Sequence, residues 1–216
     1  MKKLPLFVII FLLQFALLAG CKQTDYSLNI SDERSDLFCA ETEEFSVLVS
    51  CIERERPFLA DGIVSPRVKT VEAVLTEKTL SGKEYEIYFL EDVPRGGEMS
   101  FRNVSGDYYY SRGVDVFPSG SVSLRIISGS ETIELAATSV KSADTLTTKE
   151  ALDHALSAEK ETIARMSEGG FRGEFHVRLL RRDKTYYYVG IIDTQGHTVS
   201  LLLDSETGDV LARRET

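Results

Sequence analysis

Short runs in which apolar or aromatic residues alternate with polar ones, each closed by turn-forming residues, recur along most of this chain. They restrict it to a β-rich fold, because successive side chains of a strand point to opposite faces. Phe45, Val47 and Val49 alternate and predict a strand ending near Cys51. Val68 to Thr79 and Tyr85 to Leu90 read as two strands around a tight turn at Ser81-Gly82, where glycine supplies the permissive backbone. Met99 to Phe101 and Tyr108 to Tyr110 add short strands. Ser121 to Ile127 and Thr132 to Ala137 form a second hairpin pattern around Ser128-Gly129-Ser130. Glu53-Arg54-Glu55-Arg56 reads as a solvated face or turn. Short strands at this spacing with no helical pattern between them predict an antiparallel β-sandwich over 37–141. It is immunoglobulin-like in outline only, since the chain has no tryptophan for the usual core position of antibody-type domains.

After the polar join Ser142 to Thr148 the period changes. Ala151, Leu152, Ala155, Leu156, Ile163 and Met166 recur at helical spacing, with Thr147 or Thr148 placed to cap the start and Gly169-Gly170 to end it. Three strand-like runs follow, Phe171 to Leu180, Thr185 to Asp193 and His197 to Asp204, with turns at Asp183-Lys184 and Gln195-Gly196. The chain closes on Leu203-Asp204-Ser205-Glu206-Thr207-Gly208-Asp209-Val210-Leu211. In that ending Asp204 can bond the turn backbone, Gly208 can take positive φ, and Val210 and Leu211 would return to the core.

The helix, the strand Tyr186-Tyr187-Tyr188-Val189 and this Asp-x-x-Thr-Gly-x-Val-Leu ending together resemble a PepSY or PepSY-like domain over 146–216. The resemblance implies a helix packed on a small antiparallel sheet. It also implies a binding or regulatory role, since such domains occur in cell-envelope proteins and peptidase propeptides and are thought to restrain peptidases. The basic residues Arg178, Arg181 and Arg182 and the Gly169-Gly170 break do not map onto the family.

The first residues carry an address. Lys2 and Lys3 precede an apolar run from Leu4 to Leu18, too short for a comfortable membrane span of roughly 20 residues. Leu18-Ala19-Gly20-Cys21 then resembles a bacterial lipobox. The expectation is a signal peptide over 1–20, a diacylglyceryl (palmitate-bearing) Cys21 at the mature N-terminus, a polar tether over 21–36, and a protein lipid-anchored on the extracytoplasmic side of the cell membrane. An ordinary secretory cleavage or an uncleaved anchor are the alternatives.

Cysteine and charge follow from that address. Removing Cys21 leaves Cys39 and Cys51, which the count allows as a disulfide, as two free thiols or as a metal pair; export favours the disulfide. The formal charge of −9 becomes more negative when Lys2 and Lys3 leave with the signal peptide. Such a balance argues against nucleic acid as a partner.

Chemistry is sparse. His154, His176 and His197 match no metal spacing and are expected on exposed faces; no nucleophile elbow, phosphate loop, H-E-x-x-H or C-x-x-C occurs. Neither a cofactor nor a metal is expected. Tyr108 and Tyr110 share one strand face and Tyr186 and Tyr188 another, which makes these four the candidate interaction residues against ordinary sheet packing. The whole chain therefore reads as an α+β, β-rich protein with a sandwich followed by a helix-on-sheet module. Its expected role is a non-enzymatic envelope lipoprotein that binds an extracytoplasmic protein, a peptidase or an envelope complex. The alternatives are a solute-binding lipoprotein and an envelope hydrolase.

Overall fold

The strand β1 (Ile30–Glu41) organises the molecule, because neighbouring residues on it belong to different cores. Leu37 packs with the helix-side core, while Phe38 packs inside a barrel. The computed structural model describes residues 25–57, 59, 61–90 and 95–216. Residues 1–20, expected from the sequence to be a signal peptide, and Cys21 lie outside the described residues.

Eight further strands build the barrel with β1. They are β2 (Phe45–Glu55), β3 (Arg67–Glu77), β4 (Glu86–Phe89), β5 (Arg95–Glu98), β6 (Ser100–Arg102), β7 (Asp107–Gly113), β8 (Ser121–Ser128) and β9 (Glu131–Ser139). Pairing runs β6-β7-β3-β2-β1 on one side, and from β1 through β9, β8 and β4 to β5 on the other. Only Met99 separates β5 from β6, and its N–H bonds the Tyr85 carbonyl at 2.8 Å, so the two ends of the sheet meet and the barrel nearly closes. Closure removes most of the exposed strand edge that an open sheet would offer to other chains. The inward positions Phe38, Phe45, Val49, Cys51, Val71, Leu75, Phe89, Tyr108 and Leu124 fill the interior.

The other half of β1 continues the same sheet elsewhere. Ile30 to Arg34 pair in parallel with β10 (Gly173–Arg181), followed by β11 (Thr185–Asp193), β12 (Thr198–Asp204) and the edge strand β13 (Val210–Glu215). Two helices precede β10. The first, α1 (Thr148–Ala158), starts on a capping box in which Thr147 and Glu150 each satisfy the other's backbone N–H. Its buried side, Ala151, Leu152 and Ala155, joins Phe175, Val177, Tyr187 and Leu201. The second, α2 (Lys160–Met166), is set off at Glu159, whose carboxylate accepts from Arg213 Nε at 2.6 Å and Thr162 Oγ1 at 2.8 Å.

This architecture overturns the expected sandwich followed by a separate helix-on-sheet module. One 13-stranded sheet runs through the molecule, curled into a nearly closed barrel, with two α-helices among the described residues. Two local readings change with it. The strands flanking Ser81-Gly82 do not pair with each other: β3 lies between β2 and β7, and β4 lies between β5 and β8. The segment read as a tether enters the fold at Asp25, which caps a short 3₁₀ turn before β1 begins. Val210 and Leu211 do not return to the core either, because β13 is an exposed edge.

Candidate functional site

The most unusual chemistry sits on the sheet face opposite both cores, where β2, β1 and β10 run side by side. Cross-strand pairs share a face. Asp32 pairs with Arg54 of β2 and with His176 of β10, and Arg34 pairs with Ile52 and Arg178. The result is a charged row in the middle of a sheet.

Asp32 is its centre. Its side chain is only 1% exposed, and one oxygen, Oδ2, accepts from Arg54 Nε at 2.7 Å and from Arg178 Nη2 at 2.6 Å. Such charge-assisted bonds are about twice as strong as neutral ones and fix both guanidinium planes. Arg34 lies between these arginines. Burial, and then the positive charge of Arg178, pull its guanidinium below the usual arginine range. Its Nε and that of Arg178 are buried and have no hydrogen-bond acceptor among the described residues.

One step along β10, Glu174 is fully buried, and neither of its carboxylate oxygens has a hydrogen-bond partner among the described residues. Burial raises its carboxyl to about 7, helped by the negative charge of Glu55, Asp61 and Asp32. His176 Nε2 stands 3.8 Å from Glu174 Oε1, and burial pushes the imidazole down to about 4, with Arg178 adding to the effect. Burial disfavours the charged form of each, so both are neutral across much of the range between these values.

The segment between β2 and β3 lies beside this pair. Glu55 is buried and accepts from the backbone N–H of Leu59 at 3.1 Å and of Ser65 at 2.9 Å. At Gly62 the segment approaches Thr194 so closely that a Cβ would stand 3.0 Å from its methyl group. On the other side of β2, a hollow of about 510 Å³ opens between the Arg56–Pro57 turn and the outer wall of the barrel. Arg54, Arg56, Thr70, Glu72, Tyr109 and Ser111 are among the residues lining it.

The residues singled out from sequence fall in different places. Tyr108 points into the barrel core and donates to the Lys83 carbonyl at 2.6 Å, and Tyr110 packs half-buried against the same core. Tyr108 is therefore a buried barrel residue, while Tyr110 is half-buried like Tyr186 and Tyr188. Tyr186 and Tyr188 lie half-buried on the face opposite α1. Tyr186 donates to Asp183 at 2.9 Å beneath Lys184, and Tyr188 shares a 3.0 Å bond with Ser200 while Arg178 stands 5.8 Å from its ring centre. Asp204 Oδ1 accepts from the N–H groups of Glu206 and Thr207 at 3.0 and 3.1 Å; Lys184, bonded to its other oxygen, is first among the causes that hold its carboxyl down at about 2. Gly208 takes φ +74° under the ring of His154.

Cys39 and Cys51 are free thiols. Cys39 pairs with Leu48 and Cys51 with Asp36, so three residues of strand separate them, roughly 10 Å at a strand's rise and beyond disulfide reach. They also face opposite sides: Cys51 lies in the barrel core, whereas Leu48, across from Cys39, packs on the helix side. His176 is buried, against the expectation of exposed histidines, while His154 and His197 are exposed. No group of three or more histidine, cysteine or acidic residues among the described residues is arranged to hold a metal ion.

Sequence reasoning missed Asp32, Arg34, Arg54, Glu174 and the burial of His176. The signal was present: Glu174, His176 and Arg178 alternate with Phe175, Val177 and Leu179, which puts three charged or titratable groups on one face of an otherwise apolar strand. Comparison with known proteins adds nothing to this geometry: no family model matches the chain, and no curated protein or solved structure does.

Proposed function

We propose that this chain is a lipid-anchored, extracytoplasmic binding protein that catalyses no reaction and holds an acidic segment of another envelope protein on the sheet face opposite its two cores. The anchor is the lipidated Cys21 of the Leu18–Cys21 segment. One observation carries the binding role: this face displays half-buried Tyr109, Tyr186 and Tyr188 beside Arg54 and Arg178. Tyrosine and arginine are the residue types enriched where interfaces bury their centres. Arg54 and Arg178 on that face present guanidinium groups of the kind that bond the carboxylates of an acidic partner. The non-enzymatic reading follows from the sequence, which carries no nucleophile elbow, phosphate loop, H-E-x-x-H or C-x-x-C.

The test uses a photo-crosslinking amino acid placed in living cells at position 188 or 109, with position 157 on the helix side as the reference. The expected result is one envelope protein captured from both face positions and not from position 157, through a segment rich in Asp and Glu. Capture from all three positions alike, or from none, would sink the reading. Cys21→Ala tests the anchor separately, with the protein expected to leave the membrane fraction.

A further inference from the structure

We propose that the end of the molecule where β1 begins rests on the bilayer, with Leu28, Leu59, Ile63 and Val116 entering the lipid and Arg56, Lys69 and Arg95 meeting the phosphates of anionic headgroups. The inference rests on the reading of this chain as membrane-anchored at Cys21, and adds which part of the body the membrane meets.

Strand register brings these residues to one end. β1, β3 and β10 start there, and β2, β7 and β11 finish there: Ile30 lies across from Phe175, Asp32 from Arg54, Glu55 from Arg67, Thr70 from Gly113, and Gly173 from Asp193. Leu28 belongs to the 3₁₀ turn that enters β1, and the next residue, Asn29, donates to the Gly173 carbonyl at 3.4 Å. Leu59 and Ile63 belong to the segment between β2 and β3, whose Gly62 lies against Thr194 just beyond β11. Val116 follows β7, where the Val114 N–H bonds the Lys69 carbonyl of β3 at 3.0 Å. All four apolar residues are more than half exposed.

Exposure alone assigns no partner, since single exposed apolar residues are common. Leu80 is equally exposed at the far end, two positions beyond Lys78, whose N–H bonds the Glu44 carbonyl in the β1–β2 turn. The path of the chain decides between the two ends. Asp25 caps the turn that carries Leu28. It follows Cys21 by four positions (25 minus 21), about 14 Å even at full extension. A body tethered that closely keeps its point of entry at the membrane, so the bilayer meets the residues around that point.

Charge at this end fits an anionic bilayer. A hollow of about 530 Å³ opens here, with Arg56, Arg67, Lys69 and Arg95 in its lining beside Glu53 and Asp115. Arg67 is held by Glu33 and Glu53 at 3.4 and 3.5 Å, and Lys69 stands 5.6 Å from the ring centre of Phe117. Arg56 and Arg95 are exposed. The nearby carboxylates of Asp25, Asp61 and Asp193 accept backbone N–H groups within their own loops. Apolar residues combined with basic ones are what a surface lying in the lipid interface needs, because burial of the first and attraction of the second to anionic lipid act together.

The test reconstitutes the full chain, purified from membranes, into vesicles of phosphatidylethanolamine and phosphatidylglycerol. An environment-sensitive fluorescent amino acid stands at position 63 or 116, with position 80 as the reference, and nitroxide-labelled lipid is the quencher. Quenching of about twofold or more is expected at 63 and 116, and none at 80. Leu28→Asp combined with Leu59→Asp should remove about half of that quenching or more, and so should Arg56→Glu combined with Arg95→Glu. All four residues are exposed, so both double variants keep the fold. Quenching that does not separate 63 and 116 from 80, or that is unchanged in both double variants, overturns the proposal. Blue-shifted emission at 63 and 116 without quenching also overturns it, and shows a protein on this surface in place of lipid. The mass of the purified chain reads the lipid on Cys21 separately. Lipid present without quenching leaves the anchor standing and removes the contact, whereas quenching without lipid on Cys21 removes that anchor and keeps the contact.

Discussion

Asp32 and Arg178, 146 positions apart in the chain, meet at 2.6 Å where β1 and β10 pair in parallel. This ion pair ties the N-terminal strand to the C-terminal half of the sheet. Removing one partner of a buried pair leaves the other charge without compensation, which costs about 3–5 kcal/mol. Arg54 and Arg178 keep part of their solvation, so Asp32→Ala is expected at the lower end, about 3 kcal/mol, read as a lower urea midpoint. A midpoint within error of the parent would mean that the pair contributes nothing to stability.

Gly208 sets how closely α1 approaches the final turn. Its φ of +74° costs an L-residue about 1–2 kcal/mol, and a Cβ there would overlap the His154 ring. Gly208→Ala is expected to destabilise by about 2 kcal/mol or more. Adding His154→Ala removes the overlap and should restore part of that loss, leaving the backbone cost. Additive losses in the double variant would show that the two residues do not act on each other.

The Glu174–His176 pair gives stability a pH dependence of known sign. Glu174 titrates near 7 in the fold, above an ordinary glutamate, so its contribution is present at low pH and is lost as pH rises from about 4.5 to 7. His176 titrates near 4, below an ordinary histidine, so its contribution is present above about 6.5 and is lost as pH falls toward 4. Glu174→Gln removes the first limb. At pH 8 the variant should be more stable than the parent by on the order of 2 kcal/mol, and the difference should shrink toward pH 5. Denaturation curves at the two pH values measure it, and a pH-independent difference would contradict the assignment.

Burial, reinforced by the negative charge of Asp36, pushes the Cys51 thiol up to about 12. Only the thiolate attacks alkylating reagents. Native protein at pH 8 should therefore leave Cys51 unlabelled, while denatured protein labels at Cys39 and Cys51 without reductant. Peptide mapping by mass spectrometry reads both positions. A requirement for reductant would show a bridge that the strand register does not allow.

Several elements were legible from residues alone. The alternation in Ser121 to Ala137 marks β8 and β9, and Thr147 with Glu150 marks the start of α1, because turns and caps are interactions within a few positions. Partners were less legible. Ser81-Gly82 reads as a hairpin, yet β3 and β4 part there, because closing the barrel gives each a different neighbour. The site was least legible. The polarity of 21–36 suggested a solvated tether, whereas Asp32 and Arg34 are polar because they face charges from β2 and β10. A carboxylate paired across strands and one in water look alike in a sequence.

What the amino-acid order determined by itself was local: where strands run, where the helix is capped, and where glycine permits a turn. Tertiary structure alone decided that β1 divides its length between a barrel and a second set of strands, and that Leu37 and Phe38 enter different cores. The physical reason is distance along the chain. Periodicity and capping depend on neighbours a few residues away, whereas the edge of β1 is completed by β9 and β10, and its charges by Arg54 and Arg178.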